Sequence, residues 1–211
     1  LQRVAEICNE ILRRALDITL DVRARVNTVD HYLLALMKKA VCARIHFGVE
    51  SGSADVLRKL QKGITRDEVR SAFRSCRRLG ITTFAYFIIG CPGEGQAELD
   101  ETRSFMKEIR PDYIHLSVMT PFPATELYRM GLENGIIPDD SWKTFAQNPD
   151  PEFVPVVWEE HFARDELVEI LRKTYRDFYF RPRYILQGLR SISSMDDVRG
   201  VLRSGKKLLF G

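Results

Sequence analysis

Residues 81–95 read Ile-Thr-Thr-Phe-Ala-Tyr-Phe-Ile-Ile-Gly-Cys-Pro-Gly-Glu-Gly, a nearly continuous apolar run that stops in a glycine- and proline-rich turn. The run is too short for a membrane helix and too apolar for a surface strand, so it predicts a strand inside a parallel sheet, covered on both faces. The helix before it is equally legible: Thr65 and Glu68 are spaced as a capping box, Val69, Ala72, Phe73 and Cys76 share one face, and Gly80 is its stop. Leu99, Thr102, Phe105, Met106 and Ile109 mark another helical face after the turn. Helix, strand, turn and helix in this order make a βα unit.

The unit recurs along the chain. Val4, Ile7, Cys8, Ile11 and Leu12 fit one helical face, and residues 18–22 then alternate as a strand does. Thr28 is placed to cap a helix carrying Leu33, Leu36, Met37 and Ala40, and residues 44–49 read as the next strand. Ser53 opens a third helix that ends near Gly63, and residues 112–118 supply one more strand. Strands joined by helical crossovers predict an α/β fold with parallel strands and right-handed connections. The Thr120-Pro-Phe-Pro-Ala-Thr-Glu-Leu-Tyr128 loop stops the last strand, because neither proline can donate to a ladder. Three segments follow from this pattern: an α/β body over 1–135, a proline-rich irregular excursion over 136–160, and a helical extension over 161–211. In the extension Leu167, Ile170, Leu171, Thr174 and Phe178 share a face, Pro182 makes a break, and residues 196–209 read as a last helix.

Composition narrows the partners. With 45% hydrophobic and 29% charged residues in 211, the chain reads as globular. Its net charge of +3 gives no strong nucleic-acid signal, and the basic stretch beyond Arg181 reads as a solvated helical face. No membrane span or leader is evident. Cys8, Cys42, Cys76 and Cys91 match no zinc or iron–sulfur spacing, so no metal site is assigned from them. Thiols on apolar faces point to a reducing compartment, the cytoplasm.

Chemistry concentrates at the ends of two strands, in Ile45-His-Phe-Gly-Val-Glu-Ser-Gly-Ser53 and Ala85-Tyr-Phe-Ile-Ile-Gly-Cys-Pro-Gly-Glu-Gly95. Loops at the carboxyl rim of a parallel sheet converge on one cavity. A carboxylate followed by two hydroxyls could hold a ribose or an amino group, and the glycines beside Pro92 would let a flat ring lie against bare backbone. The bland alternative is that these residues only turn the chain, with Glu50 capping a helix. Neither turn fits a Walker or a GxGxxG pattern. His46 and His115 lie within strands and could project inward, where a hydrogen-bonded core histidine is the simpler reading. Tyr86 and Tyr113 could shape a pocket or fill a core. Asp21 and Arg23 read as facing solvent. No catalytic residue is assigned.

Phe47-Gly-Val-Glu-Ser-Gly-Ser53, Ile89-Gly-Cys-Pro-Gly-Glu94 and Pro121-Phe-Pro-Ala-Thr-Glu-Leu-Tyr128, in this order and spacing, resemble successive signatures of the radical S-adenosylmethionine superfamily. Phe178-Tyr-Phe-Arg-Pro-Arg-Tyr-Ile185 is similar to the C-terminal segment of its cobalamin-binding subgroup, which includes the anaerobic magnesium-protoporphyrin monomethyl ester cyclases. The resemblance implies an open partial (β/α)6 TIM-like barrel, of which residues 1–135 would form strands three to six. It implies S-adenosylmethionine cleaved reductively by a [4Fe-4S] cluster, with cobalamin on a separate upstream domain. It carries Glu50, Ser51 and Ser53 to the ribose or methionine part of the cofactor, Ile89, Gly90 and Pro92 to its adenine, and Arg25 to its polar end. Gly95 stands where the family usually has threonine, and Ala124 where it has glycine.

The family's CxxxCxxC and Gly-Gly-Glu segments are not in this sequence. The expectation is therefore a C-terminal part of a larger radical enzyme, inactive alone, acting in its parent as a tetrapyrrole cyclase or methyltransferase on a small molecule. Alternatives are a methylthiotransferase and a non-catalytic binding module. The first strand would keep an unpaired edge, which favours dimerisation; a strict monomer by light scattering at high concentration would count against it.

Overall fold

The computed structural model describes residues 2–182 together with Tyr184 and Ile185. The elements run α1 (Gln2–Arg13), β1 (Leu20–Ala24), a 3₁₀ turn (Val26–Thr28), α2 (His31–Lys39), β2 (Cys42–Glu50), α3 (Ala54–Lys59), α4 (Arg66–Leu79), β3 (Thr82–Ile89), α5 (Gln96–Ile109), β4 (Tyr113–Val118), α6 (Glu126–Glu133), α7 (Ser141–Gln147) and α8 (Arg164–Tyr179). The strands form one four-stranded parallel sheet in the order β1-β2-β3-β4. Each strand thus pairs with its sequence neighbour. Among the described residues β1 pairs with β2 alone, so its outer backbone groups meet no strand there.

The apolar run of β3 is covered differently from expectation. Thr83, Ala85, Phe87 and Ile89 are buried, while Thr82, Phe84, Tyr86 and Ile88 are half-buried on the other face. Both faces are apolar in sequence because aromatic rings stack on the second one: Phe84 lies between His46 and Tyr113, at ring-centroid distances of 4.3 and 4.6 Å. The buried face packs Phe47, Phe73, Phe87, Phe105, Leu34, Ile45 and Leu99 into the core. Burying such a side chain contributes about 1.5–3 kcal/mol.

Local signals set most helix ends. Thr65 Oγ1 accepts from Glu68 N while Glu68 returns the bond to Thr65 N, and Gly80 closes α4 at φ 66°. At α2 the expected cap moves. Asp30, not Thr28, accepts from Leu33 N at 2.7 Å, since Thr28 is held in the 3₁₀ turn by donating to Arg25 O at 2.8 Å. Likewise β1 begins at Leu20, where pairing to Cys42 begins, and Ile18 stays exposed. The helix expected over 196–209 lies outside the described residues.

Gly52 is fixed by space. A Cβ there would stand 2.6 Å from Thr102 Cα, 2.7 Å from Phe105 Cβ and 2.9 Å from Glu101 O, so α5 rests directly on the turn after β2. Gly52→Ala is expected to cost about 1–3 kcal/mol in urea denaturation, because backbone rather than a flexible side chain must yield. Unchanged stability would show that α5 can shift freely.

The chain divides into two compact units, Leu1–Phe162 and Ala163–Gly211. The excursion of 136–160 falls in the first. It carries α7 and ends in an extended segment whose Trp158 is buried with Val56, Cys91 and Met119. In the second unit α8 buries Leu167, Thr174 and Phe178, and the Arg181 guanidinium stacks 4.0 Å from the Phe178 ring centroid.

Candidate functional site

The half-buried face of the sheet carries the polar groups. Asp21 and Arg23 come from β1, His46, Gly48 and Glu50 from β2, Tyr86 and Ile88 from β3, and His115 and Ser117 from β4. Near the carboxyl ends of the strands this face borders a cavity of about 500 Å³ lined by Arg23, Arg25, His46, Glu50, Tyr86 and Ser117, with apolar surface from Phe87 and Ile88. That volume lies in the usual range for small-molecule sites.

Glu50 ends β2 in the left-handed region, at φ 68°, where the pairing with β3 shifts register. Such a conformation is uncommon for a residue with a side chain and has to be held by its surroundings. Lys62 Nζ holds it, 2.5 Å from Glu50 Oε1, with both side chains largely buried. The pair lies over Gly48, where a Cβ would stand 2.5 Å from Glu50 Oε1 and 3.0 Å from Lys62 Nζ. Arg25 ties the same loop down by donating to the backbone carbonyl of Lys62. Glu50 therefore does not cap α3. It is part of the cavity wall.

The other residues singled out in the sequence lie differently. Ser51 is buried, with its Oγ 3.0 Å from Thr102 Oγ1 and accepting from Ser53 N at 3.0 Å. Ser53 is buried at the N-cap of α3 without a side-chain cap bond. Arg25 and Glu50 thus meet in the cavity wall, while Ser51 and Ser53 build the turn beneath Glu50.

Ile89, Gly90 and Pro92 form the neighbouring turn and are not among the cavity-lining residues. The backbone expected to be bare there is already partnered. Ile89 O accepts from Met119 N at 2.8 Å, Cys91 N donates to Glu94 Oε2 at 3.1 Å, and Gly93 N donates to Glu160 Oε2 at 2.7 Å.

Two carboxylates thus do the work that bare backbone was expected to leave for a ligand. Glu94 is 1% exposed, and burial pushes its carboxyl up to about 7 despite the hydrogen bonds from Cys91 and Gly90 that favour the ion. Burial also raises the Glu160 carboxyl, but bonds from Trp158 Nε1 and Gly93 N outweigh this and hold it below the ordinary range. Glu160 and Trp158 carry no local sequence signal, being so far along the chain from Gly93. Asp21 faces solvent as expected, and from there its Oδ1 also reaches His46 Nε2 at 2.7 Å. Ala124 takes φ 64°, the left-handed conformation that glycine adopts at no cost.

An iron–sulfur cluster needs several thiolates converging on one point. The four cysteines are free and buried; burial, with Cys42 and Asp112 nearby, pushes the Cys76 thiol up to about 12, and Cys91 is raised well above the ordinary value. Among the described residues no group of three His, Cys, Asp or Glu is placed to hold a metal. The residues present do not fit a [4Fe-4S] cluster. The cavity presents a carboxylate, two guanidinium groups and an apolar wall.

Comparison with known proteins bears on the fold and the family. Residues 2–106 match the family model described as the Radical SAM superfamily. The chain is 29% identical to an uncharacterized methyltransferase of Pyrococcus horikoshii over 96% of its own length and 44% of that protein's. It is 25% identical to the anaerobic magnesium-protoporphyrin IX monomethyl ester cyclase of Rubrivivax gelatinosus, over 87% of this chain and 32% of the cyclase. The chain therefore spans less than half the length of these curated relatives. Among solved structures, the radical S-adenosylmethionine methyltransferase TsrM of Kitasatospora setae, with cobalamin and a [4Fe-4S] cluster bound, superposes with a TM-score of 0.57 at 21% identity, over 63% of this chain and 28% of that one. No helix among the described residues is long and apolar enough to cross a membrane. With its parallel sheet, its helices on one face and its family match all in agreement, the chain belongs to the radical SAM superfamily.

Proposed function

We propose that this chain forms the wall of a radical SAM enzyme that receives the organic part of S-adenosylmethionine, and that the enzyme is a methyltransferase or oxidative cyclase acting on a small molecule. The observation that carries this reading is Glu50, held at φ 68° with its carboxylate in the cavity wall beside Arg25. A carboxylate fixed at a strand end can accept both hydroxyls of a ribose, and a guanidinium can take the methionine carboxylate as a fork. Ser51 and Ser53 position the turn that carries Glu50, and the adenine is assigned to the side of the cavity where Ile88 lines the wall, next to the turn of Ile89, Gly90 and Pro92. The methyltransferase and cyclase named above support the reaction class. Reductive cleavage of the cofactor requires a cluster that these residues do not fit, so the chain's own contribution is to bind and orient.

S-adenosylhomocysteine, which has the same ribose and adenine, is the probe. Titration calorimetry is expected to show saturable binding that Glu50→Gln weakens at least about tenfold, since a hydrogen bond to a charged group is worth about 1.5–3 kcal/mol. No saturable binding, or equal binding by the variant, would remove Glu50 from the site.

A further inference from the structure

Across the sheet face that borders the cavity three side chains from three strands are joined in a line. Asp21 Oδ1 on β1 is 2.7 Å from His46 Nε2 on β2, and His46 Nδ1 is 3.0 Å from Tyr86 Oη on β3. The imidazole is clamped by the Phe84 ring, stacked at 4.3 Å with an interplanar angle of 9°, so its two nitrogens keep these directions. An ionised carboxylate only accepts, so Nε2 carries the proton; in the neutral imidazole Nδ1 then accepts from the Tyr86 hydroxyl. The other titratable neighbours include His115, whose ring lies 5.0 Å from that of Tyr86, Arg44, 3.7 Å from Asp21, and Arg23 and Glu50 in the cavity wall. His46 and Tyr86 both line the cavity.

The order carboxylate, imidazole, hydroxyl is that of an activated hydroxyl, in which the base takes the hydroxyl proton and the carboxylate orients and stabilises the imidazolium. We infer that Asp21, His46 and Tyr86 form a proton relay whose outlet, Tyr86 Oη, exchanges a proton with a cavity ligand bearing a weakly acidic N–H or O–H group. In the forward direction the ligand's proton goes to Tyr86 Oη as the phenolic proton moves to His46 Nδ1. The ligand becomes an anion and His46 an imidazolium held by Asp21. Two protons each move one place and no electron is transferred. The reverse direction protonates a bound anion. Nothing in this relay depends on S-adenosylmethionine occupying the cavity.

A structural hydrogen bond and a relay differ in what they do to the reactivity of the phenol. An arylsulfonyl fluoride forms an O–S bond with a tyrosine as the S–F bond breaks, fluoride leaves and the phenolic proton passes to a base. The chain has seven tyrosines, and Tyr32, 85% exposed, serves as the internal reference. At pH 8, peptide mass spectrometry is expected to find half-buried Tyr86 labelled faster than Tyr32. His46→Gln should lower the Tyr86 rate at least about tenfold and leave Tyr32 unchanged, since a positioned base contributes about 10²–10⁴-fold. Asp21→Asn, at a half-exposed residue whose replacement leaves the core intact, should lower the Tyr86 rate by a smaller factor. Nitrogen-15 NMR of the histidine rings should find Nε2 of His46 protonated and Nδ1 bare. Equal Tyr86 labelling in the wild type and both variants, or the opposite tautomer, would overturn the relay. Because no cofactor is added, these results are independent of the binding test on Glu50.

Discussion

Replacing Trp158 by alanine is expected to destabilise the first compact unit by about 3–5 kcal/mol, the usual range for removing a buried large aromatic side chain. Trp158 is 3% exposed and packs with Val56 of α3, Cys91 of the turn after β3, and Met119 after β4, so one ring closes over the ends of three strands. Its backbone N donates to Met119 O at 2.9 Å and its indole Nε1 to Glu160 Oε2 at 2.9 Å. Truncation would therefore open a cavity and also release Glu160 from one of its two donors. Guanidinium denaturation followed by circular dichroism should show the loss, and the melting temperature should fall by roughly 10 °C. Trp158→Phe, which keeps most of the ring but not the donor, should cost less. If alanine cost under about 1 kcal/mol, the excursion would be an ornament rather than a brace.

The second large effect depends on pH. Glu94 has a native value of about 7 against an ordinary 4.5, because burial disfavours its charged form. Below about pH 4.5 both folded and unfolded chains hold this proton, and its contribution to stability is fully present. Between about 4.5 and 7 the unfolded chain gives the proton up first, so stability falls as pH rises, by about 3 kcal/mol in all. Above 7 the loss is complete. Glu94→Gln keeps an acceptor for Cys91 N and has no proton to lose. Urea titrations at pH 5 and pH 8 should find its stability more level than that of the wild type, with the variant more stable at pH 8 by up to about 3 kcal/mol. A wild type and variant with parallel pH profiles would mean that the Glu94 carboxyl titrates normally despite its burial.

What could be read from the sequence was what lies within one turn of chain. The capping box of Thr65 and Glu68, the stop at Gly80 and the βα order all depend on neighbours three or four residues apart, and propensity and pattern settle such relations locally. Glu50 was legible for the same reason, as the only carboxylate in its glycine-rich turn. The contact of solvent-facing Asp21 with His46 was not legible because its partner is on another strand, and register decides which residues meet. Tyr86 stayed open between pocket and core, because a stacked inner face and a buried outer face are equally apolar in sequence; it lines the cavity. The bare backbone expected around Gly90 and Pro92 failed for a more general reason. A buried N–H that no neighbouring strand can satisfy recruits an acceptor from wherever the fold can bring one, here Glu94 nearby and Glu160 from the far side of the excursion.

The sequential strand order has an entropic meaning. Every pairing in the sheet joins strands adjacent in the chain, and the three closures differ by less than a factor of two in length, the longest being the span that holds α3 and α4 between β2 and β3. Doubling a loop adds only about 0.6 kcal/mol to the entropy of closure, so chain connectivity scarcely favours one pairing over another. The order in which the sheet assembles is then decided by the apolar surface each pairing covers, and the β2–β3 pair, with Phe47 and Phe87 fully buried, covers much of it. The same hydrophobic side chains that set the stability of the barrel wall would in this way also time its formation.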